Sequence, residues 1–250
     1  MSSQNQIYQF SIISALMSGL ASPSSSIPIS ALLAHGTFGM GTFASMDGEM
    51  VILDSVAYQF HADGSIEICA PTQLVPFALI TNFVPSFTKK LSLSGKGNGD
   101  ENFSGKKALE KEIEKCFPEA RNLFVCFRLE GVFKRVKIRA IHKQRFEGEK
   151  LEVLAQEQAE RTLEGVRGTV VGFRSPGWSV GVSVVGVHAH FVDEGRKVGG
   201  HILEIKAEDG TEVTFEGSVS ANFSLELPQS KEFGEKELDL DVLGIEKAEG

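Results

Sequence analysis

The chain has 250 residues, 33 of them acidic and 25 basic, for a formal net charge of −8, with 42% apolar and 23% charged side chains. This is ordinary composition for one or two globular domains with a sizeable core. It argues against a nucleic-acid binder, which needs clustered Lys and Arg to meet phosphate.

The first apolar stretch, "IYQFSIISALMSGLASP", follows Gln4, Asn5 and Gln6 with no Lys or Arg, and Ser11, Ser14 and Ser18 interrupt it. It lacks the charged start of a signal peptide and falls short of the ~20 apolar residues of a membrane span. An amphipathic helix over residues 10–20 is expected, with no membrane contact and a cytoplasmic location. "SIPISALLAHG" predicts a second short helix closed by Gly36. The period then changes to two. "GTFASMDGEMVILD" predicts a hairpin turned at Asp47-Gly48, and "YQFHADGSIEIC" another at Asp63-Gly64.

Residues 95–107 read as a Gly-rich surface loop, and residues 106–117 as a helix with Leu109 and Ile113 on its apolar stripe and a solvated charged remainder. "LFVCFRLEGVFKRVKIRAI" predicts two strands about Glu130-Gly131. "LEVLAQEQAERTLEG" reads as a helical or loop-like joint between two halves. Further on, a turn at Pro176-Gly177 separates two extended runs, and Asp209-Gly210 caps another hairpin. "SVSANFSLEL" alternates as a strand, before an acidic tail. The expected class is α+β (mixed α/β), with two β-sheet-based halves and a few short flanking helices, divided as 1–150 and 151–250. Cys69, Cys116 and Cys126 are odd in number and without CxxC spacing, so reduced, packed thiols are expected.

Three of the six histidines fall within "GVHAHFVDEGRKVGGH". Side chains two apart on a strand share a face, so His188 and His190 project together, in line with Val180, Val182 and Val184. His201 opens the next strand, in phase with Leu203 and Ile205. If the two strands are antiparallel neighbours, His201 falls near His190, with Gly199 and Gly200 letting the backbone approach closely. Three imidazoles with one open position suit a catalytic Zn2+; the alternative is separate, hydrogen-bonded histidines. "HAHFVDE" also fits the HxH-x3-E of cupins through Glu194, but the surrounding glycine spacing does not. His35, His61 and His142 are isolated. No GxGxxG or P-loop fingerprint stands at a strand–helix junction, so no organic cofactor is expected.

Four segments in order, "YQFSIISALMSG", "HGTFGMGTFASMDGEMVILD", "KIRAIHKQ" and "GTVVGFRSP" followed by "VVGVHAHFVDEGRKVGGH", resemble the α-acetolactate decarboxylase family over nearly the whole chain. The resemblance implies conversion of 2-acetolactate to acetoin and CO2 with bound zinc, in two sheet-based domains and a homodimer. It implies zinc ligation by His188, His190 and His201, an active-site arginine at Arg139, and Thr42 and Glu49 in the site. A second glutamate comes from the tail, where Glu249 matches better than Glu246. Two departures bear on substrate preference: His142 stands where the family has proline, and "SPSSS" replaces an acidic loop.

The substrate is a small 2-hydroxy-3-keto acid. Loss of CO2 leaves negative charge that the ketone oxygen can take as an enediolate, with zinc acting as a Lewis acid. Arg139 would bind the carboxylate or the developing oxyanion, although its spacing from Arg135 and Lys137 also fits a surface arginine. Glu49 and Glu249 would handle protons, and Thr42 would hydrogen-bond the ligand. Two readings compete: a zinc hydrolase using metal-bound hydroxide, and a non-catalytic cupin-like metal-binding β-protein.

Overall fold

A computed structural model describes residues 4–92, 106–207 and 212–238. In chain order the first elements are β1 (Ile7–Phe10), α1 (Ile13–Met17), β2 (Ile27–Pro28), α2 (Ile29–Leu33), β3 (Phe38–Thr42), β4 (Glu49–Leu53), β5 (Val56–Phe60), β6 (Ile66–Ile68), β7 (Leu74–Val75), β8 (Phe77–Thr81) and β9 (Phe87–Ser92). There follow α3 (Lys106–Cys116), β10 (Phe124–Ala140), α4 (Leu151–Gln156), β11 (Ala159–Ser175), β12 (Gly186–Asp193), β13 (Gly199–Ala207), β14 (Glu212–Ser220), β15 (Phe223–Glu226) and α5 (Lys231–Glu235). This is a mixed α+β fold built on two large sheets, with β2 and β7 pairing as a small third.

The first sheet runs β15-β1-β8-β3-β4-β5-β6, and the second β11-β12-β13-β10-β14-β9, with β11 also pairing β10. That extra pairing closes β10 to β13 into a small barrel. Alternation along its strands makes two cores. Val187, Ala189 and Phe191 of β12 and Val136 and Ile138 of β10 fill the barrel. Side chains of the opposite phase, such as Val171, Phe173 and Val192, meet Met40, Val51 and Leu79 of the first sheet. Aromatic pairs also bridge the sheets, Phe124 stacking on Phe223 at 4.4 Å between centroids. Residue 150 lies between β10 and β11, two paired strands of one sheet, and β15 returns to pair β1 in the other.

The hairpins at Asp47-Gly48 and Asp63-Gly64 form as expected, joining β3 to β4 and β5 to β6. Other expectations need correction. Residues 7–10 are a strand, with every residue buried between β8 and β15. The helix that follows is short, and all five of its residues are buried, so it is an interior helix and not an amphipathic one. Its first N–H groups donate to Val182 and Gly181 carbonyls, and Ser18 Oγ donates to Ser14 O at 2.8 Å, which satisfies polar groups inside the core.

The strand β10 crosses Glu130-Gly131 without turning. Gly131 pairs with Gly168, and a Cβ there would meet Val213 Cγ1 at 2.7 Å, so this glycine serves close packing. The β12 strand begins at Gly186, after a turn that includes Val180 and Val182. The expected hairpin of β13 with β14 is absent, because β10 lies between them; its tip, Asp209-Gly210, and most of the 95–107 loop lie outside the described residues. "SVSANFSLEL" is shared between β14 and β15, in different sheets. The three cysteines are free.

Candidate active site

The site forms where the outer face of the barrel meets the first sheet. On β12, Val187, Ala189 and Phe191 point into the barrel, so His188 and His190 point out of it. His190 of β12 and His201 of β13 are direct Cα partners across antiparallel strands. His201 does not share a face with Ile205, contrary to strict alternation. Against β10 the register slips between Ile202 and Glu204, and this bulge sends Ile202 and Ile205 inward and His201 outward. The two glycines before it allow the approach: a Cβ on Gly199 would meet Phe191 O at 2.6 Å, and one on Gly200 would meet Arg139 O at 2.4 Å.

The three rings lie 5.0–5.3 Å apart, centroid to centroid, all of them buried. Their candidate ligand atoms fall within 4.8 Å of one another, the one such group among the described residues. Nitrogens on one tetrahedral zinc stand roughly 3.4 Å apart, so the rings need draw in by only about an ångström. His190 Nδ1 lies 2.8 Å from Met50 O. A carbonyl only accepts, so the proton sits on Nδ1 and the Nε2 lone pair is available to a cation, the usual arrangement behind a metal-bound imidazole. Burial holds His188 well below the ordinary histidine range, with Lys106 and Arg139 adding to the effect. His201 is lowered likewise by burial, then by Arg139 and Lys106. Both are the neutral rings that metal ligation requires. The residues fit a divalent ion.

Arg139 ends the run Arg135, Lys137, Arg139 on one face of β10. The first two pair on the surface with Glu164 and Glu160. Arg139 is 2% exposed, because the first sheet covers that end of the strand. Its Nη1 donates to Glu49 Oε1 at 3.1 Å, and Glu49 Oε2 lies 3.5 Å from His190 Nε2. The Thr42 hydroxyl donates to Gly48 O at 2.7 Å, so toward a ligand it offers lone pairs. The structure therefore brings together His188, His190, His201, Arg139, Glu49 and Thr42 around one cavity of about 20 Å3. Glu249 and Glu246 lie outside the described residues.

Two contributors escape a reading by sequence. Lys106, assigned there to a solvated helix face, donates from Nζ to His201 Nε2 at 2.9 Å. Its run of charged neighbours gives no sign of this; the position is set by how α3 lies across β12 and β13. The other is Met46. The connection from β3 to β4 places Ser45 at φ 60° and Met46 at φ 54°, a left-handed conformation rare for side-chain-bearing residues. Each such residue costs about 1–3 kcal/mol and persists only when its surroundings hold it. Here Ser45 N donates to Ala21 O at 2.6 Å, Gln144 N to Ser45 O at 2.7 Å, and Gln59 Nε2 to Asp47 O at 2.6 Å. The strained turn separates Thr42 from Glu49 and pins both.

Residues 7–240 match the family model described as alpha-acetolactate decarboxylase. The alpha-acetolactate decarboxylase of Bacillus subtilis (strain 168) is 34% identical over 94% of this chain and 86% of its own length. That of Methanosarcina mazei is 35% identical over 97% and 80%. The crystal structure of alpha-acetolactate decarboxylase from Bacillus subtilis strain 168 superimposes with a TM-score of 0.88 at 32% identity, covering 98% of this chain and all of the other.

Proposed function

Because this chain belongs to the alpha-acetolactate decarboxylase family, we propose that it decarboxylates acetolactate at the buried histidine triad, with His188, His190 and His201 holding a zinc ion. The enzyme class follows from the family: an acetolactate decarboxylase, acting on a small-molecule substrate. The metal and the residue roles are our reading. The observation that carries it is the convergence of three buried imidazoles with a buried Arg139–Glu49 pair on one cavity.

When bound, a divalent ion supplies Lewis-acid stabilisation of the charge that departing CO2 leaves on the ketone oxygen. The chain does the rest. Arg139 is permanently charged and fixed by Glu49, so its fork can receive a carboxylate without reorganising. The bond between the carboxyl carbon and the hydroxyl-bearing carbon breaks, and one carbon must then take a proton. Glu49 stands beside the triad with Oε2 toward His190, positioned to hold and deliver that proton. Glu249, assigned by resemblance alone, is the second candidate donor. Thr42, its proton engaged by Gly48, accepts from a substrate hydroxyl. The apolar walls exclude water while charge develops.

The test is metal removal. Chelator-stripped protein is expected to lose acetoin production, and one equivalent of zinc per chain to restore it. Full turnover without metal, or restoration by nickel, cobalt or iron but not zinc, would contradict the reading. The family resemblance also carries the expectation of a homodimer in the cytoplasm; light scattering that gives a monomer of 27.1 kDa would remove the dimer.

A further inference from the structure

The side chains that line the cavity are of two kinds. One is charged and polar. The other consists of Ile13, Leu16, Met46, Phe77, Ile141 and Leu151, every one of them buried. We propose that Met46 sets which alkyl groups the substrate can carry, an inference that rests on this cavity being the substrate pocket.

A space of about 20 Å3 is little more than a single water needs. A five-carbon hydroxy-keto acid has to push a wall aside. Ile13 and Ile141 are β-branched and stiff at χ1. Phe77 opens β8, a strand hydrogen-bonded to both β1 and β3. Leu16 and Leu151 sit on α1 and α4, which pack on each other. Met46 differs in kind. Its backbone is held in the left-handed region by hydrogen bonds to its neighbours in the turn, while its side chain is unbranched, with three rotatable bonds. The pinned backbone aims the thioether at the substrate, and the flexible side chain lets it yield by a limited amount. The turn also separates Thr42 from Glu49, so the size limit is registered against the reacting groups.

Acetolactate carries two apolar ends: the methyl on the hydroxyl-bearing carbon and the methyl of the acetyl group. Each can be lengthened by one methylene. A hydrophobic pocket distinguishes one methylene by about 10–200-fold. The experiment compares kcat/KM for acetolactate with that for both homologues, 2-ethyl-2-hydroxy-3-oxobutanoate and 2-hydroxy-2-methyl-3-oxopentanoate. The proteins are metal-loaded wild type, Met46→Ala, Met46→Leu and Met46→Phe. Met46→Ala is expected to raise the homologue-to-acetolactate ratio about tenfold for at least one homologue. Met46→Leu keeps the volume and should stay within about twofold of wild type. Met46→Phe should lower the ratio. Unmoved ratios for both homologues in Met46→Ala overturn the proposal. Should the alanine variant be too unstable to purify, an unmoved ratio in Met46→Phe does the same. Metal content and acetolactate turnover are read on the same samples. A flat ratio with both retained counts against Met46 alone, whereas loss of metal dependence in wild type counts against the reading of the site.

Discussion

Removing the charge of Arg139 probes fold and chemistry together, and the two can be separated. The Arg139 and Glu49 side chains are 1% and 7% exposed, with Nη1 and Oε1 3.1 Å apart. At an effective dielectric of about 20 the attraction is roughly 5 kcal/mol, and burial of both ions offsets much of it. Removing one charge of a buried pair is what costs. Arg139→Met takes a cation from beside a buried carboxylate, and should destabilise the metal-stripped protein by about 3–5 kcal/mol. Glu49→Gln takes the opposite charge from beside the guanidinium. The double variant removes both charges of the pair, so it should be more stable than the sum of the singles predicts, by about 2–3 kcal/mol. Urea unfolding of the four proteins measures this. Activity should not follow stability. Arg139→Met and the double variant should both lose turnover about 100–1000-fold, the effect of removing one preorganised charged donor. Additive stabilities, within about 0.5 kcal/mol, would mean that the pair does not act as a pair. Recovery of acetoin production along with stability in the double variant would reduce Arg139 to a structural residue.

His190→Ala should abolish stoichiometric zinc, since it removes one of the three imidazoles proposed to hold it; metal analysis showing one equivalent retained would contradict the triad. Deleting residues 246–250 should lower turnover with little loss of metal if Glu249 serves the site, and unaltered kinetics would remove it. A pH dependence follows from His188 and His201, both held well below the ordinary value by burial. In the metal-stripped protein they stay neutral while the unfolded chain takes up protons below about pH 6.5. The unfolded state then binds more protons, so stability is present above that pH and lost as pH falls, by up to about 1.4 kcal/mol per pH unit for each ring. Urea midpoints that do not move between pH 7.5 and 5.5 would refute this.

The parts of the site that could be read along the chain are those set by local periodicity. His-Ala-His on a strand puts two imidazoles on one face, and a Gly-Gly entry to the next strand brings the third beside them. Asp-Gly turns located two hairpins for the same reason. The failures share another cause: they depend on what the rest of the chain lays over a segment. Arg139 has the same phase as Arg135 and Lys137, and only the covering sheet turns it from a surface charge into a buried one. Gly131 has a turn-former's sequence context, yet it is a glycine because Val213 crowds it from a strand that arrives some 80 residues later. Buried on all sides, "IYQF" shows no alternation from which to assign a strand. Met46 looks like any turn-flanking methionine until its backbone angle and the bonds that tie its neighbours Ser45 and Asp47 to three other segments are seen together. Local pattern thus locates three clustered imidazoles, whereas the buried charges and apolar side chains that share their cavity are selected by the packing of one sheet on another.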